Sequence, residues 1–138
     1  MTVELNDLFA DRPDALQFLS LYGAYSDEVD NQVDEEKNED RTQRISQLAA
    51  QVTNCNYWKQ YSNILYLLSR TIENAYFDSV KWERSQEEWQ RKTAKELASC
   101  GVMMIVAVII IEFGEEVASN YSIKLREYYH NKHINDPV

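Results

Sequence analysis

Carboxylates are the side chains of this chain best placed to do chemistry, and they are unevenly spread. Twelve of the 23 lie in the first 40 of 138 residues, and eight of those fall between Asp27 and Asp40. Only Arg12 and Lys37 oppose the twelve, so this stretch carries about −10, whereas residues 41–138 hold 11 acids and 12 bases. Asp27, Asp30 and Asp34 are spaced three and four apart, which puts side chains on one face of a helix. Carboxylates so placed repel one another unless a cation or a basic group compensates. One chemistry open to them is divalent-cation binding, since Mg²⁺ is held by one or two carboxylates with waters and substrate phosphates. Another is Coulombic recognition of a basic surface, and a third is a solvated acidic face that keeps the chain soluble.

Three more carboxylates border apolar segments. Glu73 lies at the edge of a helical stripe, Glu83 falls on that stripe beyond Tyr76, and Glu112 closes the most apolar run of the chain. A carboxylate on a core-facing position must be paired, protonated or metal-bound. Glu83 has a simpler alternative past the helix end, served by Lys81 or Arg84. Glu112 before Gly114 sits at the negative end of a helix dipole, where a metal, a Lys or an Arg would relieve it. Asp30, Asp34, Glu73, Glu83 and Glu112 thus come from three helices, and bundles build divalent-metal sites from carboxylates on facing helices. Arg91, Lys92 and Lys95 recur within one turn. They suit phosphates or, preferably, the acidic helix of a neighbouring subunit.

Two families share this plan. Di-iron bundles need Glu-x-x-His pairs, which neither His130 nor His133 completes. The arrangement resembles that of all-α nucleoside triphosphate pyrophosphohydrolases of the MazG and dimeric dUTPase type, which use Mg²⁺ on Glu-x-x-Glu and Glu-x-x-Asp helices. Asp27-x-x-Asp30 is the first-helix counterpart here, and Glu73 is followed by Asp78 at five rather than three. The resemblance is of plan, over the first three helices. It implies a Mg- or Mn-dependent phosphohydrolase of nucleotides or similar small molecules. Asp30, Asp34, Glu73 and Glu112 would hold the metal, with Lys92 or Arg91 balancing charge. No EF-hand loop, glycine-rich phosphate loop or nucleophile elbow is present.

The elements that must carry these residues are helical. Three Gly and two Pro leave little turn chemistry for β-hairpins. Phe18, Tyr22, Tyr25, Val29 and Val33 predict a helix over 12–37, with Asp11 as N-cap and Pro13 in the first turn. A break is expected near Asn38–Arg41, after which Ile45, Leu48 and Val52 begin a second stripe. Thr53–Asn56 reads as a loop. Tyr61, Leu65, Leu68, Ile72 and Tyr76 predict a third helix over 57–83, and Ser85-x-x-Glu88 a capping box opening a fourth over 86–113. Val117, Tyr121, Leu125 and Tyr128 mark a last helix over 115–130, closed off from the fourth by Gly114.

The expected fold is therefore all-α: an antiparallel bundle of four to five helices in a single domain over 1–130, with a flexible tail over 131–138. Residues 100–111 show no polar face, and a helix apolar all round must be covered on every side. This predicts a homo-oligomer, most simply a dimer, through an apolar central helix. The apolar run is about a dozen residues, short of the ~20 that span a membrane. The polar N-terminus lacks a signal sequence, and Cys55 and Cys100 have no metal-type spacing. These features suggest a cytoplasmic protein with reduced thiols and no membrane association. A net charge of −9 disfavours direct nucleic-acid binding. The favoured function is a small acidic binding or assembly protein whose N-terminal helix engages a basic protein partner or a cation; the phosphohydrolase is the alternative.

Overall fold

A computed structural model describes residues 3–34 and 39–133. Seven helices account for the elements among them: α1 (Val3–Leu8), α2 (Pro13–Asp34), α3 (Glu39–Asn54), α4 (Asn56–Trp82), α5 (Glu88–Ala98), α6 (Val102–Phe113) and α7 (Glu115–His133). The all-α class holds. The chain divides into two compact units, Met1–Leu65 and Tyr66–Val138, with the boundary inside α4.

In the first unit the N-terminal stripe is buried where it is most aromatic. Phe18 has no exposed surface and Tyr22 only 6%. The Phe18 ring stacks on Tyr57 at 5.6 Å between centroids and lies near Tyr22 at 5.8 Å and Trp58 at 6.2 Å. Tyr25, Val29 and Val33 continue the stripe half-buried, and Leu48 and Val52 of α3 are buried. Pro13 opens α2 at its first helical position, where its missing N–H costs nothing. The residue before it, Arg12, rather than Asp11, supplies the carbonyl that accepts from Leu16 N–H at 3.1 Å. Asp11 pairs with Arg12 at 3.2 Å instead.

Three boundaries differ from the sequence expectation. The short helix α1 was not anticipated; it places Leu5 and the following Phe9 in the core, at 2% and 0% exposure. The expected loop at Thr53–Asn56 shrinks to Cys55, because Cys55 is itself buried and Asn56 already begins α4. Asn38 in the expected break lies outside the described residues, and Glu39–Arg41 belong to α3.

In the second unit the expected fourth helix is two. Ser99–Gly101 form a turn in which Ser99 N–H and Cys100 N–H reach back to Glu96 and Leu97 carbonyls at 3.2 and 3.1 Å. Ser85 does not close a capping box. Helix α5 starts at Glu88, and Ser85 Oγ accepts from Glu87 N–H at 3.1 Å in the preceding turn. Gly114 ends α6 at φ 91°, and its N–H donates to Ile110 O at 2.9 Å. A Cβ there meets nothing within 4 Å, so the requirement for glycine is conformational rather than steric. Helix α7 starts on the next residue and packs along α6, burying Ala118 and Leu125. Its half-buried flank carries Tyr121 and Tyr129, whereas the expected Tyr128 is 49% exposed. The helix runs through His133, so residues 131–133 of the expected tail are helical, and 134–138 lie outside the described residues.

Helix α6 buries Val102, Met104, Ile105, Val108 and Ile109, while Met103 and Ile110 stay 46% and 42% exposed. Among the described residues, one stretch, within Glu88–Phe113, is long and apolar enough to cross a membrane by length and composition, and 28% of its most apolar window is buried. The sequence expectation counted only the dozen central residues.

The aromatic contacts of Phe18 set the energetic stake of the first unit. Phe18→Ala removes a fully buried ring and is expected to cost about 3–5 kcal/mol. The midpoint of urea unfolding reads this; an unchanged midpoint would mean the stripe is not a core.

Candidate functional site

The carboxylates of α2 separate into two groups. Glu28 turns toward α3, where its oxygens lie 3.5 Å from Arg41 Nε and 3.0 Å from Arg44 Nε. Arg41 also donates to Asn31 O at 3.3 Å, and Gln32 Nε2 donates to Thr42 Oγ1 at 3.0 Å. Helix α2 has no basic residue in its last turn. Arg41 therefore brings a cation from α3 to the carbonyl end of α2, where the helix dipole favours positive charge and carbonyls lack intrahelical partners. A count of bases that stops at residue 40 misses this latch. Arg41 and Arg44 lie just beyond that limit and fold back along the acidic helix.

Asp27, Asp30 and Asp34, the other group, are exposed at helical spacing, and Glu39 and Asp40 at the start of α3 are exposed as well. Glu35 and Glu36 lie outside the described residues. The charge density of this end is thus high, and Glu28 is held at 20% exposure between its two arginines.

Of the remaining carboxylates expected as metal ligands, Glu73 and Glu83 have local explanations. Glu73 pairs with Arg70 one turn earlier on α4. Glu83 follows the last residue of α4 and is exposed, with its N–H bonded to Ser79 O at 2.9 Å. It sits past the helix end rather than on a core-facing turn. Glu112 is half-buried in the last turn of α6. Among the described residues no three His, Cys, Asp or Glu side chains group as a metal site requires.

The three bases of α5 also part company. Arg91 donates to Ser85 O at 2.7 Å, closing the turn before its own helix. Lys92 and Lys95 instead line a cavity of about 620 Å³ within the second unit. The apolar part of its lining comes from Leu68, Ile72 and Ala75 of α4, Leu97 of α5, and Val102 and Met103 of α6. The polar part of its wall comes from Lys92, Lys95 and Glu96 of α5, and from Arg126 and His130 near the end of α7. Lys92 is also 3.3 Å from Glu88 on its own helix. Cys100 adds a thiol whose Sγ–H donates to Ile72 O at 3.4 Å. Burial pushes that thiol above its ordinary pKa, against a smaller opposite effect of the Cys100 and Gly101 N–H groups. It therefore stays protonated at neutral pH, a packing group rather than a nucleophile. Trp82 and Trp89 pack edge to face at 5.3 Å and do not line the cavity.

No protein-family model, curated protein or solved structure matches this chain. The functional reading rests on the geometry alone.

Glu28→Gln removes the charge that Arg41 and Arg44 share. It is expected to cost roughly 1 kcal/mol at low salt and less in 1 M NaCl, while Asp27→Asn, on the exposed side, stays within about 0.5 kcal/mol of the parent. Urea unfolding of both variants at two salt concentrations is the measurement, and equal effects would remove the latch.

Proposed function

We propose that this chain is a small acidic helical assembly protein that binds a basic protein surface through the exposed carboxylates of α2. The observation that carries this reading is the sorting of α2 itself. Glu28 is neutralised by Arg41 and Arg44, while Asp27, Asp30 and Asp34 remain on the exposed side. Exposed carboxylates at this spacing present one acidic face to solvent. A partner bearing Lys and Arg at matching intervals pairs with that face, steers its own approach and loses affinity with salt. A Mg- or Mn-dependent phosphohydrolase is less well supported, because Asp30, Asp34, Glu73, Glu83 and Glu112 enter no three-residue ligand group among the described residues.

Assembly with a second copy is part of the same proposal. Helix α6 is apolar on every side, and its Met103 and Ile110 edge is left substantially exposed. A matching edge from another copy covers it by two-fold symmetry, the commonest arrangement for such contacts. The bundle expected from the sequence is on this view completed between chains.

A fluorescent lysine-rich helical peptide serves as the probe of the acidic face. Joint replacement of Asp27, Asp30 and Asp34 by Asn is expected to weaken its binding at least about tenfold. Joint replacement of Glu115, Glu116 and Glu127 by Gln changes net charge equally and is expected to weaken it far less. Equal losses would reduce the effect to overall charge and sink the reading. Separately, Ile110→Lys is expected to convert a sedimenting dimer to monomer with the helical content intact. A parent chain that sediments as a monomer at tens of micromolar would exclude self-association.

A further inference from the structure

The second unit holds a concavity whose charge runs against that of the whole chain. Net charge is −9, yet the cavity wall carries Lys92, Lys95 and Arg126 with the single carboxylate Glu96 and with His130 beside them; Glu88, 3.3 Å from Lys92, lies outside the wall. The wall groups come from two helices far apart in sequence, α5 and α7, and they share the cavity with apolar side chains of α4, α5 and α6. At about 620 Å³ the space falls within the ~300–1,000 Å³ range of small-molecule sites, which pair an apolar lining with a few polar groups that fix orientation.

We infer that this cavity binds a small amphipathic carboxylate, its apolar body on Leu68, Ile72 and Leu97 and its anionic head between Lys92, Lys95 and Arg126. Each half of the site selects one half of the ligand. Aliphatic walls exclude water from an apolar chain and give it no partner for a charge. The guanidinium of Arg126 offers paired N–H donors that match a carboxylate, and the two ammonium groups add point charges. Among the described residues no carboxylate forms an ion pair with Arg126. A cationic amphiphile finds the same apolar lining but the wrong charge. The negative field of the rest of the molecule repels an anion only weakly at this range, since salt at 0.1 M screens beyond about 10 Å. Cys100 lies in the wall as a protonated thiol and presents no charge to the ligand.

Calorimetric titration of the full chain with decanoate below its micellar concentration tests this. Controls are decyltrimethylammonium, which keeps the tail and reverses the head, and acetate, which keeps only the head. Decanoate is expected to bind with one site per chain, and each control at least about tenfold more weakly. Joint replacement of Lys92 and Arg126 by Gln, both exposed and so compatible with the fold, is expected to lower decanoate affinity about tenfold or more. An unchanged melting temperature of the free variant confirms the fold. Decyltrimethylammonium binding as tightly as decanoate would reduce the site to apolar adsorption. Acetate binding as tightly would reduce it to surface charge. Undiminished affinity in the variant would place the anion elsewhere. Each of these results overturns the inference.

Discussion

Keeping twelve carboxylates within 40 residues on a folded chain requires that some of their repulsion be cancelled at short range. The α2–α3 pairing does this through Glu28, which is shared by Arg41 and Arg44, and through Arg41 at the Asn31 carbonyl. Antiparallel pairing of two helices brings the positive start of one beside the negative end of the other. The arginines strengthen that natural complementarity with formal charge. The rest of the first unit depends on this pairing. With the end of α2 anchored, Phe18 is presented to Tyr57 and Trp58, and Asp27, Asp30 and Asp34 lie on the exposed side.

The second unit solves a different problem, that of too much apolar surface for its size. Helix α6 has buried neighbours on the side of α7 and an edge, Met103 and Ile110, that is not covered. The cavity arises from the same excess. At the turn from α5 into α6, Ser99 and Cys100 line it together with residues of α4 and α7.

Much of the fold was legible in the sequence because helical burial follows a period that survives without tertiary information. Phe18, Tyr22, Leu48, Val52, Leu65, Ile72 and Leu125 fall on the sides where the stripes place them. Errors cluster where a local signal had a second physical meaning. Ser85 with Glu88 has the form of a capping box, but the serine is used one turn early. Residues 86–113 carry no proline, and a Ser-Cys-Gly turn inside an apolar run gives no polar warning, so one helix was expected where two exist. Helix α1 has too few residues to show a period at all. The candidate sites were less legible, for a related reason. The exposed Asp27, Asp30 and Asp34 are local and were found, but the Glu28 latch is made by residues 13 and 16 positions later. Lys92 and Lys95 were singled out as charge partners, while Arg126 and His130, more than 30 residues further on, were not linked to them. Only α7 doubling back on α6 brings the two sets together. Glu73 and Glu83 looked anomalous on a helical wheel because a wheel shows neither Arg70 reaching over one turn nor the end of α4 at Trp82.

The α6–α7 junction has one more implication, for length variation. The two helices meet at a single left-handed glycine with no intervening loop. Inserting or deleting one residue after Gly114 would rotate α7 by about 100° about its axis. Ala118 and Leu125 would then swing out of register with α6, and Arg126 away from the lysines of α5. Connections between helices usually absorb insertions readily. Here the spacing from Gly114 to Arg126 is as constrained as the residues themselves, so chain variants that change it must lose the interior of this unit and its cavity together.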